Sequence, residues 1–169
     1  QEQAAWTDHR WSETDQPDHV QGVFDDFGGP IRQALQSIAQ VSKWGLFLRP
    51  VASQWSRGRI VLLGDAAHPT LPFMAQGAVQ AIEDAWALAA SLDGADTVAQ
   101  GYDRYQALRH PRVTRVVDAA GRNAWKYHLS QPLIRASAHT ALRIASRVLP
   151  AALVRQFDWV YNYDITREI

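Results

Sequence analysis

Cysteine is absent from all 169 residues, which excludes disulfides, thiolate metal sites and cysteine nucleophiles together. No apolar run approaches the roughly 20 residues of a membrane span. Gln1-Glu2-Gln3 carries neither the basic region nor the apolar core of a secretion signal. No membrane span and no export are therefore expected, and a reducing cytoplasm is the expected compartment. Gly-x-Gly occurs nowhere among the ten glycines, so the glycine-rich turn that brings backbone against a pyrophosphate is missing. His9, His19, His110, His128 and His139 show no ligand spacing, and no metal is expected. Repeats and low-complexity tracts are also lacking, and with 47% apolar residues the chain is expected to fold.

The net charge of zero hides an asymmetry. Acidic residues from Glu2 to Asp26 crowd the beginning, whereas the ten cations from Arg104 to Arg155 are opposed only by Asp118. Arginines on helix surfaces most often form a solvated face, so no nucleic-acid partner is assigned. A non-catalytic helical module with a basic binding face is kept as an alternative.

Residues 4–11 alternate loosely and suit a partly buried strand. Pro30 opens a helix carrying Ile31, Leu35, Ile38 and Val41, and 44–48 reads as a short strand. The uninterrupted run Ile60-Val61-Leu62-Leu63 has the pattern of a central strand covered on both faces. A helix over 78–92 is expected to bury Ala81, Ile82, Ala85, Leu88, Ala89 and Leu92. Thr97 caps the next helix, which Pro111 either kinks or divides. Residues 133–149 form an amphipathic helix, and the aromatic end Phe157 to Tyr161 packs back on the body, so the helical tail is expected to be docked.

The segment from Arg59 to Ala85 carries the chemistry. A strand ends at Gly64, and Asp65 stands at its carboxyl end, where open α/β sheets bind ligands. Its carboxylate suits the hydroxyls of a sugar or polyol. The loop returns so that Gln76-Gly77-Ala78-Val79 forms the first turn of a helix, whose unpaired amides and positive dipole end favour a group gaining negative charge. The pyrimidine edge of a reduced flavin is such a group. Read alone, Asp65 could equally cap the following turn. His68 reads as ordering the loop, and Glu83 and Asp84 as anchoring it.

Gly64-Asp65-Ala66-Ala67-His68-Pro69, then Pro72, Gln76-Gly77 and Glu83-Asp84-Ala85, resemble the second FAD fingerprint of the class A flavoprotein aromatic hydroxylases of the salicylate hydroxylase and 6-hydroxynicotinate monooxygenase type. Trp44 to Arg49, Trp55 and Arg59 resemble that family's approach to the fingerprint. Tyr102, Tyr105, Arg109, Pro111 and Arg112, then Asn123 and His128, resemble its downstream helices, and Trp159 to Asp164 its ending.

The resemblance implies an α/β flavoprotein hydroxylase fold, truncated to a small sheet remnant with four or five helices. It implies a remnant of the substrate domain over 1–55, an FAD-contacting segment over 56–95 and a helical region over 96–169. By the same resemblance Gly64 and Asp65 meet the ribityl or ribose hydroxyls of FAD, the amides of Gly77, Ala78 and Val79 face the flavin pyrimidine, and Arg49 supports the cofactor loop. Pro72 lies over the ring, with Phe73 and Trp44 as substrate-pocket candidates, although core packing is the simpler reading of Trp44. No catalytic residue is assigned.

The activity implied is hydroxylation of a small aromatic acid or phenol using FAD, NADH or NADPH, and O2. Reductases, epoxidases and halogenases share related fingerprints and stay open. Two departures stand out. The amino-terminal dinucleotide fingerprint is absent and Asp93-Gly94 is misplaced for the family's Asp-Gly motif, so the implied partner is a missing amino-terminal FAD-binding segment. Val79 also stands where many relatives carry asparagine. Whether the chain forms a homodimer is left open.

Overall fold

The computed structural model describes residues 11–127, 129 and 131–168. The chain divides into two units, Gln1–Phe47 and Leu48–Ile169.

In the first unit β1 (Ser12–Asp15) pairs antiparallel with β2 (Val41–Trp44), Ser12 opposite Trp44. Cross-strand neighbours Glu13 and Lys43 form an ion pair at 3.0 Å, and Trp11 meets Trp44 edge to face with ring centres 6.0 Å apart. The strand therefore stops at Trp44, where the sequence pattern starts one. Most of the strand expected at the beginning lies outside the described residues. Between β1 and β2 sit α1 (Pro17–Val23) and α2 (Gly29–Gln36), each opened by proline in its first turn, where a missing N–H costs nothing. Arg32 closes their connection by donating to the carbonyls of Asp25 and Phe27.

The second unit begins with an irregular segment and a hairpin of β3 (Ser56–Arg57) and β4 (Ile60–Val61), turned at Gly58 with φ +62°. The run Ile60 to Leu63 is thus not a doubly covered central strand. β3 is the partner that β4 has among the described residues, and Ile60 is 70% exposed. A continuous apolar run records the covering its side chains require, and here only Val61 and Leu62 pack partly against the core while Ile60 and Leu63 stay exposed.

Two long helices follow, α3 (Gly77–Asp93) and α4 (Val98–Tyr127). Thr97 caps α4 through the Gln100 amide at 3.2 Å. Pro111 lies inside α4 without dividing it. α3 buries a different face from the one its apolar residues mark. Gln80, Glu83, Asp84, Ala87 and Ser91 are inside, while Ile82 is 70% exposed and Ala85 is also at the surface. The polar face turns inward because α4 brings two arginines to meet it.

The core gathers on Trp55, which is packed by Tyr105, Val113, Ala87, Ala67 and Ile165. Tyr105 donates to the Leu62 carbonyl, and Gln106 both accepts from the Trp55 amide and donates to the Ser53 carbonyl, fastening α4 to the hairpin. α5 (Pro132–Val148) and α6 (Pro150–Arg155) bury no residue, so this part of the tail is not docked among the described residues. α7 (Asp158–Tyr161) does pack back: Val160 is buried against Leu71, Met74 and Ala120.

Candidate functional site

Beyond β4 the backbone reaches Gly64 with φ +57°, a left-handed conformation that favours glycine. A β-carbon there would also stand 3.1 Å from the Ala81 Cβ. The Gly64 carbonyl accepts from the amides of Ala67 and His68, each at 2.9 Å, and winds 64–66 into a single 3-10 turn. Asp65 projects from this turn into solvent and makes no hydrogen bond through its carboxylate among the described residues.

The loop then returns to the start of α3. A β-carbon built on Gly77 would lie 3.9 Å from Asp65 Oδ1 and 3.6 Å from Thr70 Cγ2, so glycine keeps the space between carboxylate and helix tip open. Gln76 provides no side-chain cap, and its carbonyl accepts from Gln80. The amides of Gly77, Ala78 and Val79 are consequently free to meet an outside acceptor, as the first turn of any uncapped helix allows. Between the two features runs a second 3-10 turn, Pro72–Met74. Leu71 and Met74 anchor it in the core, Pro72 is exposed and Phe73 half-buried. Ala75, with φ +51°, turns the chain into α3 from the left-handed region.

Behind the turn lies a buried ion network. Asp84 Oδ2 accepts from the Gly64 amide at 2.8 Å and from His68 Nε2 at 2.5 Å, and Oδ1 accepts from Arg109 Nε at 2.8 Å. Burial pushes the Asp84 carboxyl up, but donation from His68, Arg109 and the Gly64 amide outweighs it and holds the group below the usual value of 3.8. Arg109 also donates to Glu83 at 2.6 Å and to Gln80 Oε1 at 2.8 Å. Burial acts to lower the Arg109 pKa, but Asp84 and Glu83 reverse that and raise it. Arg112 grips Glu83 with two bonds of 2.7 Å and donates to the carbonyls of Trp159 and Val160. Burial also pushes the Tyr105 hydroxyl up.

Residues 4–120 match the family described as FAD binding domain. The chain belongs to that family. This FAD-binding chain is 33% identical over 161 residues to a 3-amino-4-hydroxybenzoate 2-monooxygenase of Streptomyces platensis, covering 94% of itself and 39% of that protein. It is 39% identical over 151 residues to a 6-hydroxynicotinate 3-monooxygenase of Bordetella bronchiseptica, covering 88% of itself and 33% of the relative. Its structure superposes on a salicylate hydroxylase substrate complex with a TM-score of 0.73 at 26% identity, over 97% of this chain and 39% of the other. The chain therefore spans about two fifths or less of the length of these relatives. The fold is the FAD-dependent hydroxylase fold in truncated, helix-rich form, and FAD is the cofactor of the family.

Of the residues singled out in the sequence, Gly64, Asp65, Gly77, Ala78 and Val79 come together, and Pro72 and Phe73 sit on the loop joining them. Arg49 is exposed in the same unit. Trp44 belongs to the first unit, where it meets Trp11. His68 and Asp84 do anchor the loop, Asp84 accepting from the Gly64 amide and from His68, whereas Glu83 packs α3 against α4 by accepting from Arg109 and Arg112. The sequence reading missed the inward role of Gln80, and it treated Arg109 and Arg112 as members of a solvated face. The available signal was a Glu83-Asp84 pair on one helix and two arginines three residues apart on the next.

Proposed function

We propose that this FAD-binding chain holds the ribityl side and pyrimidine edge of the flavin in a monooxygenase that hydroxylates a small aromatic acid or phenol. One observation carries the reading: a carboxylate with no hydrogen-bond partner among the described residues faces the uncapped tip of α3 across the space that Gly77 leaves open. An acceptor for hydroxyls and a row of amide donors for an anionic ring edge are the two demands of a reduced flavin. In this assignment Gly64 and Asp65 meet the ribityl or ribose hydroxyls, and Gly77, Ala78 and Val79 donate backbone N–H groups. Pro72 and Phe73 border the ring and the substrate, and Arg49 supports the cofactor loop. Bound FAD would supply the chemistry, accepting electrons from NADH or NADPH and activating O2 so that one oxygen atom enters a phenol-like ring.

The same reading divides the chain into a substrate-domain portion over 1–55, an FAD-contacting segment over 56–95 and a carboxy-terminal helical region over 96–169. It requires a further FAD-binding segment that supplies the glycine-rich dinucleotide turn. Ile60 and Leu63 on one stretch and Val79, Ile82 and Trp86 on α3 are exposed, apolar surface of the kind such a segment would cover. A reducing cytoplasm is the compartment we assign.

The test joins this chain to such a dinucleotide-binding segment and refolds it with excess FAD. The product should be yellow and should consume NAD(P)H and O2 with a small phenolic or hydroxypyridine acid, and label from O2 should enter the ring. Label in an epoxide or in none of the products would move the assignment to another flavin reaction. A colourless protein would overturn it.

A further inference from the structure

We infer that Asp84 is a positioning residue of the cofactor site, fixing the direction in which Asp65 points without touching the cofactor itself. The inference rests on the cofactor reading above.

Asp65 sits in the middle of a turn that begins at Gly64 and ends at His68. Both ends of that turn donate to one oxygen, Asp84 Oδ2: the Gly64 amide at 2.8 Å and His68 Nε2 at 2.5 Å. The other oxygen is held by Arg109 at 2.8 Å, so the carboxylate cannot rotate without breaking a buried charged bond. Three elements therefore converge on one group: the strand end through Gly64, the loop through His68 and α4 through Arg109. Asp84 itself is fully buried, as is Arg109, and His68 is nearly so. The turn passes close to α3 at Gly64, where a β-carbon would stand 3.1 Å from the Ala81 Cβ. Helix α3 thus supplies both halves of the arrangement, its free amides at Gly77 to Val79 and, about two turns on, the group that aims the carboxylate opposite them.

A carboxylate that only filled the core would influence the whole unit evenly. A positioning carboxylate acts on one end of the cofactor site. Assigned amide resonances of the chain joined to the dinucleotide-binding segment described above, titrated with FAD, separate the two. In the wild type, FAD should shift Gly64 and Asp65 together with Gly77, Ala78 and Val79, saturably. Asp84→Asn should weaken FAD binding about tenfold, the scale on which groups that orient a binding residue act, with shifts lost at Gly64 and Asp65 and kept at Gly77 to Val79. His68→Ala leaves the Asp84–Arg109 pair in place and releases only the far end of the turn. It should show the same one-sided loss in smaller degree, and it serves as the deciding variant if Asp84→Asn does not fold. Wild-type affinity in the folded variants would overturn the inference while leaving the cofactor reading intact. Equal loss at both ends would also overturn it, making Asp84 a general structural group. No FAD-dependent shift in the wild type would overturn the cofactor reading itself, and the inference with it.

Discussion

Arg109 Nε donates to Asp84 Oδ1 at 2.8 Å with neither side chain exposed. The pair joins α3 to α4 at the point where the loop bearing Asp65 returns to α3. Removing the cation leaves Asp84 without its charge partner in a dry site, and unpaired buried charge is among the few causes of large single-residue losses. Arg109→Met should lower unfolding stability by about 3–5 kcal/mol in urea denaturation. Arg167→Ala, which removes a surface pairing with Asp164 in the same unit, should leave the midpoint unchanged.

Acid should act through Asp84. Its carboxyl is lowered from 3.8 in the folded chain, so the stability it contributes is fully present above 3.8 and is lost as the pH falls through the lower folded value. Unfolding followed by circular dichroism between pH 5 and pH 2, a window set at roughly the carboxylate range, should show a steep loss below pH 4. In a folded Asp84→Asn variant that loss should be shallower, from a lower starting stability.

Gly64→Ala places a side chain at φ +57° and 3.1 Å from Ala81 Cβ. Backbone strain and the close contact together should cost about 1–3 kcal/mol. Gly58→Ala, in the β3–β4 turn at φ +62° but with nothing within 4 Å, carries the backbone strain alone and should cost less. A thermal melt of the two variants side by side makes the comparison.

Asp65→Ala separates binding from folding. The side chain is exposed and bonds to nothing among the described residues, so stability should stay within about 0.5 kcal/mol of the wild type. FAD-dependent shifts at Gly77 to Val79 should nonetheless shrink, because the other hold on the same molecule is gone. An unchanged FAD titration would remove Asp65 from the site.

The local features of the candidate site were more legible than the core. Gly64, Asp65 and Gly77 stand out because a sharp turn, a carboxylate and an uncapped helix are local demands that short stretches of sequence express. The capping of α4 by Thr97 is equally local. The inward face of α3 was not legible, since Gln80, Glu83 and Asp84 turn in to meet Arg109, a partner 25 to 29 residues further along. Apolar spacing marks Ile82 for a core, and 70% of it is exposed. The run from Ile60 to Leu63 misled for a related reason: an apolar run does not say which of its residues find cover, and only Val61 and Leu62 pack against the core.

Helix α3 wears Glu83 and Asp84 inside and Val79, Ile82 and Trp86 outside. Such a surface governs colloidal behaviour more than folding. Ammonium sulfate, which strengthens apolar contact, should precipitate the chain at concentrations that raise its melting temperature. Ile82→Lys should restore solubility with little effect on the melt.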